Sequence, residues 1–189
     1  GRTDGLAEGD AKTRILDHLG MLDRLRPIVA ETACEIRIDD FRLAVPAGLD
    51  AARDAFAGAF ARDERGVRRA LGSFERLAAE VERMAEDTRS AALRFLAFPF
   101  FYPTIFRMRG RTCAEVLQSR LRDPRARVAL GALAPRVGPA PAAVGAMAYA
   151  LAATAHLRRP VALPGGGRSL AQALAEVARK EVAVVRTKT

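Results

Sequence analysis

The stretch Leu163-Pro164-Gly165-Gly166-Gly167-Arg168-Ser169-Leu170-Ala171-Gln172-Ala173-Leu174 sets an apolar, strand-like run against a glycine hinge that opens into an amphipathic segment. Ser169 followed by Gln172 has the spacing of a capping box, which places a helix start at Ser169. Leu170, Leu174, Val177 and Ala178 then share one face at helical spacing. Consecutive glycines accept φ > 0 and let another group approach the main chain. Two readings stay open. In one, the loop presses its bare backbone against a flat or anionic ligand at a helix N-terminus; in the other, it is a strand-to-helix turn that binds nothing. It is neither a Walker A loop nor G-x-G-x-x-G.

Working outward, the rest of the chain alternates short helical and strand signals. Val161-Ala162-Leu163 precedes the glycines as a strand candidate, and Glu181–Thr187 reads as another strand. Asp10 is placed to cap a helix ending at Gly20. Cys34–Ile38 and Phe41–Pro46 alternate around Asp39-Asp40 as a β-hairpin. Asp50 is expected to cap a helix carrying Phe56 and Phe60, and Asp63 a longer one. In the longer helix Val67, Ala70, Leu71, Phe74, Leu77, Ala78, Val81, Met84 and Ala85 form the core stripe, with Glu75, Arg76, Glu80, Glu82 and Arg83 on the other faces. Thr112 with Glu115 is a second capping box. Asp123-Pro124 is a cap with proline at the first helical position, and an alanine-rich helix runs from Pro141 to Leu157 after the turn at Gly138-Pro139-Ala140-Pro141. The expected fold is α+β: one helix-rich domain over residues 1–189, with a small, mostly antiparallel sheet built from the hairpin and the two late strands.

Composition narrows the functional classes. The chain has 189 residues, enough to bury a real core, and a formal net charge of +9. Lysine occurs only at Lys12, Lys180 and Lys188, and the arginines are spread along the polar faces of helical segments rather than gathered in a block. There is no zinc-finger spacing and no RNP-like aromatic pattern, so nucleic acid is not the expected partner. Cys34 and Cys113 stand alone, as buried thiols in a reducing compartment do, and no His/Cys/Asp/Glu cluster has metal-ligand spacing. His156 is the one side chain with a pKa suited to acid–base work, at a helix end where histidines are usually structural. The uncharged span from Val137 to Leu157 is interrupted by Pro139 and Pro141 and is dominated by alanine, which favours a buried helix over a membrane span. The chain opens Gly1-Arg2-Thr3-Asp4, with no initiator methionine and no signal-peptide pattern, and is expected to be a piece of a longer, cytoplasmic protein.

One segment differs in texture. Phe95-Leu96-Ala97-Phe98-Pro99-Phe100-Phe101-Tyr102-Pro103-Thr104-Ile105-Phe106 carries no charge, but Arg94 precedes it and Arg107, Arg109 and Arg111 follow. Pro99 and Pro103 prevent a single regular helix. Three readings stay open: a broken core helix, an aromatic wall for an apolar ligand, and an apolar edge on a bilayer surface with arginines at the headgroups.

From Thr112 onward the order of pieces resembles the phytoene desaturase family of flavoproteins, which includes carotenoid desaturases and retinol-saturase-like enzymes. The pieces are Thr112-Cys113-Ala114-Glu115-Val116-Leu117, then Arg122-Asp123-Pro124-Arg125, then Ala132-Leu133-Ala134-Pro135-Arg136-Val137-Gly138, then Pro164-Gly165-Gly166 with Leu170 and Ala173-Leu174-Ala175. Ile15–Gly20 and the hairpin before Pro46 add a weaker match in the first half. The family's G-x-G-x-x-G, which holds the ADP part of FAD, has no counterpart in this sequence. The residues before Pro164 lack the family's usual aromatic, and Lys180 runs into Glu181 where the family has Gly-Gly. The resemblance implies a substrate-binding cap of an FAD-dependent oxidoreductase, with a fold like the substrate domain of amine-oxidase-type flavoproteins. It implies a long apolar, polyene- or isoprenoid-like substrate, hydride transfer to or from flavin, and a separate FAD-binding domain as partner. Phe98, Phe100, Phe101, Tyr102 and Phe106 would then form the apolar wall. Gly165, Gly166 and Gly167 would allow close approach of flavin or substrate, and Arg168 would meet an anionic group or a neighbouring carboxylate. The alternative is a basic helical module that binds membrane lipid or nucleic acid without catalysis.

Overall fold

A computed structural model describes residues 2–4, 11–133, 140–158 and 160–180. The expected Asp10 cap, the Ala134–Gly138 part of the family resemblance, the start of the turn at Gly138 and the Glu181–Thr187 strand lie outside these residues. The protein is α+β, rich in helix, with two small antiparallel sheets. It divides into two compact units: residues 1–31 with 159–189, and residues 32–158.

The first unit contains β1 (Arg2–Asp4), α1 (Ala11–His18), α2 (Leu22–Leu25), β2 (Ile28–Val29), β5 (Pro160–Ala162) and α11 (Gly166–Lys180). Its sheet runs β1-β5-β2, with β5 antiparallel to both neighbours. A small core of Met21, Leu25, Leu163 and Ala173 is flanked by Leu16, Leu19, Leu170 and Val177. Leu174, expected on this face, is 42% exposed, because Ala173 takes the central position one residue earlier.

The glycine hinge forms a type II turn. Gly166 N–H donates to Leu163 O at 2.8 Å, Pro164 takes the second position and Gly165 the third with φ +75°. The helix begins at Gly166, three residues earlier than the Ser169 cap requires. Ser169 therefore lies inside the first turn, where its hydroxyl donates back to Gly166 O at 2.7 Å instead of accepting a helix N–H.

The second unit starts with the hairpin β3 (Thr32–Ile38) and β4 (Phe41–Pro46). Ile38 pairs with Phe41 across the Asp39-Asp40 turn, and Asp39 takes φ +51°, which a short polar side chain tolerates. The hairpin forms a sheet of its own instead of joining the late strand. Ile36 and Val45 are buried, with Ile38, Phe41 and Leu43 packed beside them, so the alternation read from the sequence sets the core face. Phe41 meets Phe60 with ring centroids 5.1 Å apart.

Next come α3 (Leu49–Ala59) and, after a 3-10 turn at Ala61–Asp63, α4 (Glu64–Ala85). The N-cap of α3 is Gly48 at φ +98°; Asp50 lies two residues later, inside the first turn, and pairs with Arg53 at 3.0 Å. α4 packs against α3, α7 (Pro103–Met108) and α10 (Ala146–Arg158). Val67, Ala70, Leu71, Phe74, Leu77 and Ala78 are buried along it, as the stripe requires.

Between α7 and α10 lie α8 (Cys113–Gln118) and α9 (Pro124–Gly131). Both expected caps form: Thr112 Oγ1 accepts from Glu115 N at 3.2 Å while Glu115 returns to Thr112 N at 2.8 Å, and Asp123 accepts from Arg125 N at 2.8 Å. α10 starts five residues later than Pro141, because residues 144–146 pair with 111–113: Cys113 N donates to Val144 O at 2.9 Å and Ala146 N to Arg111 O at 2.8 Å.

Gly66 tests this packing. A Cβ there would sit 2.5 Å from Arg120 O and 2.5 Å from an Asp63 carboxylate oxygen. Gly66→Ala is expected to cost about 1–3 kcal/mol of stability through forced displacement, read as a lower urea midpoint with unchanged slope. Gly72→Ala, where an added Cβ meets only the far end of Arg76 at 3.6 Å, is the tolerated comparison.

Candidate functional site

The Phe-rich segment folds as three short helices: α5 (Ala91–Leu96), α6 (Phe98–Phe101) and α7. Each proline sits in the first turn of its helix, where a missing N–H costs nothing, so Pro99 and Pro103 start helices as well as interrupt one. Ser90 Oγ accepts from Leu93 N at 3.4 Å to open α5.

The expected wall residues separate into inner and outer positions. Tyr102 is buried, and Phe98 and Phe101 lean on its ring at centroid distances of 5.4 and 6.4 Å. Phe100 is 85% exposed and Phe106 44% exposed. Phe95, 83% exposed, joins Leu96 and Leu93 in presenting further apolar surface on α5. Arg109 carries its guanidinium 5.5 Å from the Phe106 ring centroid. An apolar surface of this kind on a small unit marks a contact site more often than a random one.

Behind Phe101 and Tyr102 lies a hollow of about 360 Å³, and its lining is polar: Arg83, Glu86, Asp87, Thr88 and Arg89. The Tyr102 hydroxyl donates to the Asp87 carboxylate, whose other oxygen accepts Arg89 N–H at 3.0 Å. Arg89 stacks its guanidinium 4.0 Å above the Phe101 ring. These contacts fix the inner aromatic rings from below and leave the outer ones to solvent. Asp87 and Arg89 escaped the sequence reading because they precede the apolar run, in a segment with no periodicity.

A third residue whose role the sequence reading missed is Glu80. It is 3% exposed, and its carboxylate accepts Thr104 N at 2.8 Å and Ile105 N at 2.9 Å, capping α7 from another helix. The signal was present: Glu80 lies three residues after Leu77 and four before Met84, on the apolar stripe rather than on the polar faces to which it was assigned. Asp63 likewise occupies the N-cap position of α4, but it sends its carboxylate to Arg122 N at 2.6 Å and Asp123 N at 3.1 Å.

In the first unit Gly165, Gly167 and Arg168 are exposed and Gly166 is half-buried. Nothing lies within 4 Å of where a Gly167 Cβ would stand, and no carboxylate among the described residues pairs with Arg168. His156 is buried at 8% exposure. Among the described residues no group of His, Cys, Asp and Glu side chains could hold a metal, and no helix is long and apolar enough to cross a membrane.

Comparison with protein-family models, curated proteins and solved structures gives no match.

Two outcomes check this geometry. Glu80→Ala strips α7 of its buried acceptor and is expected to cost about 3 kcal/mol in urea unfolding; Glu80→Gln, which keeps one acceptor, loses less. Cys113 is 1% exposed and burial pushes its thiol pKa up to about 12, whereas Cys34 is only half-buried. At pH 8 a maleimide is expected to label Cys34 first, and Cys113 only once urea opens the core.

Proposed function

We propose that this chain is the substrate-binding cap of an FAD-dependent oxidoreductase resembling the phytoene desaturases, and that it holds a long apolar substrate for hydride transfer to or from flavin. The observation that carries the reading is the exposed apolar surface of Leu93, Phe95, Leu96, Phe100 and Phe106 on α5–α7, set on rings that Asp87 and Arg89 immobilise. A saturated or polyene chain offers no hydrogen-bonding groups, so recognition has to come from area removed from water. Rigid aromatic rings supply that area at little cost in side-chain entropy.

The residues present fit one edge of a flavin. Gly165 and Gly167 are exposed, nothing lies within 4 Å of where a Gly167 Cβ would stand, and Arg168 is exposed beside them with no carboxylate partner among the described residues. When bound, the flavin supplies the redox capacity, as cofactors do for chemistry that side chains cannot perform. In this proposal Gly165, Gly166 and Gly167 let the ring system approach the main chain. Arg168 steadies its anionic side. The dinucleotide part is assigned to a partner domain.

A second reading is favoured by the end of α7, where Arg107 and Arg109 follow the exposed Phe106 and Arg109 holds its guanidinium 5.5 Å from the ring centroid. On that reading the same aromatic surface docks on a bilayer, rings among the acyl chains and guanidiniums at the phosphates.

Titration with cis-parinaric acid, a fluorescent polyene, is expected to show saturable binding that falls about tenfold in Phe95→Asp/Phe100→Asp. Saturable binding untouched by that pair would place the hydrocarbon elsewhere and overturn the reading. Pelleting with phosphatidylcholine vesicles without parinaric binding would favour the bilayer. The chain alone is expected to leave the fluorescence of added FAD unchanged, because it lacks the G-x-G-x-x-G that binds the ADP part.

A further inference from the structure

A second hollow, of about 410 Å³, opens where the first turns of α4 meet the segment between α8 and α9. Arg62, Arg65, Arg69, Arg120 and Arg122 line it. Two carboxylates, Asp63 and Glu64, share the lining, and both are engaged. Asp63 accepts the Arg122 and Asp123 amides, and Glu64 accepts Arg68 Nε at 2.8 Å. Among the described residues no carboxylate pairs with any of these five arginines.

The walls are held in place before any ligand arrives. Arg120 Nη1 donates to Arg69 O at 2.8 Å, the Asp63 carboxylate ties down the next stretch of backbone, and Gly66 leaves no room for a side chain against Arg120 O. Arg120 is half-buried, and Arg76, Arg107 and Arg111 are close enough to add to the effect of burial in lowering its pKa. Five guanidiniums against two carboxylates leave an excess of like charge that disfavours the folded state, and an oxyanion in their midst reverses the sign of that interaction. The N-terminus of the 22-residue α4 adds its positive end to the same place.

We propose that this hollow is a binding site for a phosphate-bearing ligand, held by the half-buried Arg120 and by the exposed Arg62, Arg65, Arg69 and Arg122 around it. Guanidinium forks match phosphate oxygens two at a time, which makes arginine rather than lysine the suited residue. The concave form favours a compact di- or polyphosphate group over a duplex, which needs an extended stripe of cations. The site stands apart from the aromatic surface and does not depend on the redox reading.

Isothermal titration of the full chain with inorganic diphosphate at physiological salt, and sedimentation with phosphatidylglycerol vesicles, test the proposal together. Diphosphate is expected to bind saturably, with affinity falling about tenfold or more in Arg69→Gln/Arg120→Gln and staying unchanged in the charge-matched control Arg42→Gln on the hairpin. Arg62→Gln/Arg65→Gln, which leaves the half-buried Arg120 in place, serves if the Arg69/Arg120 variant unfolds. Vesicle binding that needs the same arginines, without diphosphate binding, would assign the phosphate to a lipid headgroup. Absence of both, an equal loss in Arg42→Gln, or duplex DNA bound more tightly than diphosphate in every variant would overturn the site. Loss of parinaric binding in Phe95→Asp/Phe100→Asp with diphosphate binding intact would separate this site from the proposed cap function.

Discussion

Two acidic side chains near opposite ends of α4 hold the larger unit together. Asp63, at its start, accepts the backbone amides of Arg122 and Asp123; Glu80, near its end, accepts those of Thr104 and Ile105. A charged acceptor gives each such bond about 1.5–3 kcal/mol, more than a neutral pair does. A carboxylate taken out of water is costly unless its lone pairs are filled, so these contacts also leave the neighbouring segments little choice of position. Apolar packing along Val67, Ala70, Phe74 and Leu77 supplies the bulk of the attraction. The two carboxylates decide which backbone is laid against it.

That arrangement accounts for the shape of the aromatic surface. The first turn of α7 is fixed on Glu80 and Tyr102 on Asp87, while Pro99 and Pro103 break the intervening chain into short helices. Tyr102, Phe98 and Phe101 turn inward as a consequence, and Phe95, Leu96 and Phe100 have no core left to enter.

Much of this was legible in the residues, wherever local chemistry decides local structure. The Thr112/Glu115 box, the Asp123-Pro124 start and the Asp39-Asp40 hairpin each satisfy their own backbone groups within a few residues, and each formed where expected. Failures came where a distant partner outbid a local one. Asp63 abandons its own helix for Arg122, and residues 144–146 pair with 111–113 and delay α10. Ser169 lost its cap to a glycine pair that could start the helix three residues sooner. For the candidate site, the aromatic residues were visible as an uncharged run. The polar groups that brace them were not, since Asp87 and Glu80 act across 15 and 24 residues of sequence.

The small sheet of the first unit has a topological consequence. Its middle strand, β5, follows the whole of residues 32–158, while both outer strands, β1 and β2, precede them. As the chain leaves the ribosome, the flanking strands must wait unpaired until the inserted unit has emerged. Vectorial synthesis therefore favours completion of the insert first, with the β1-β5-β2 sheet forming afterwards. A nascent chain halted before Pro160 would carry a finished insert and two unpaired strands.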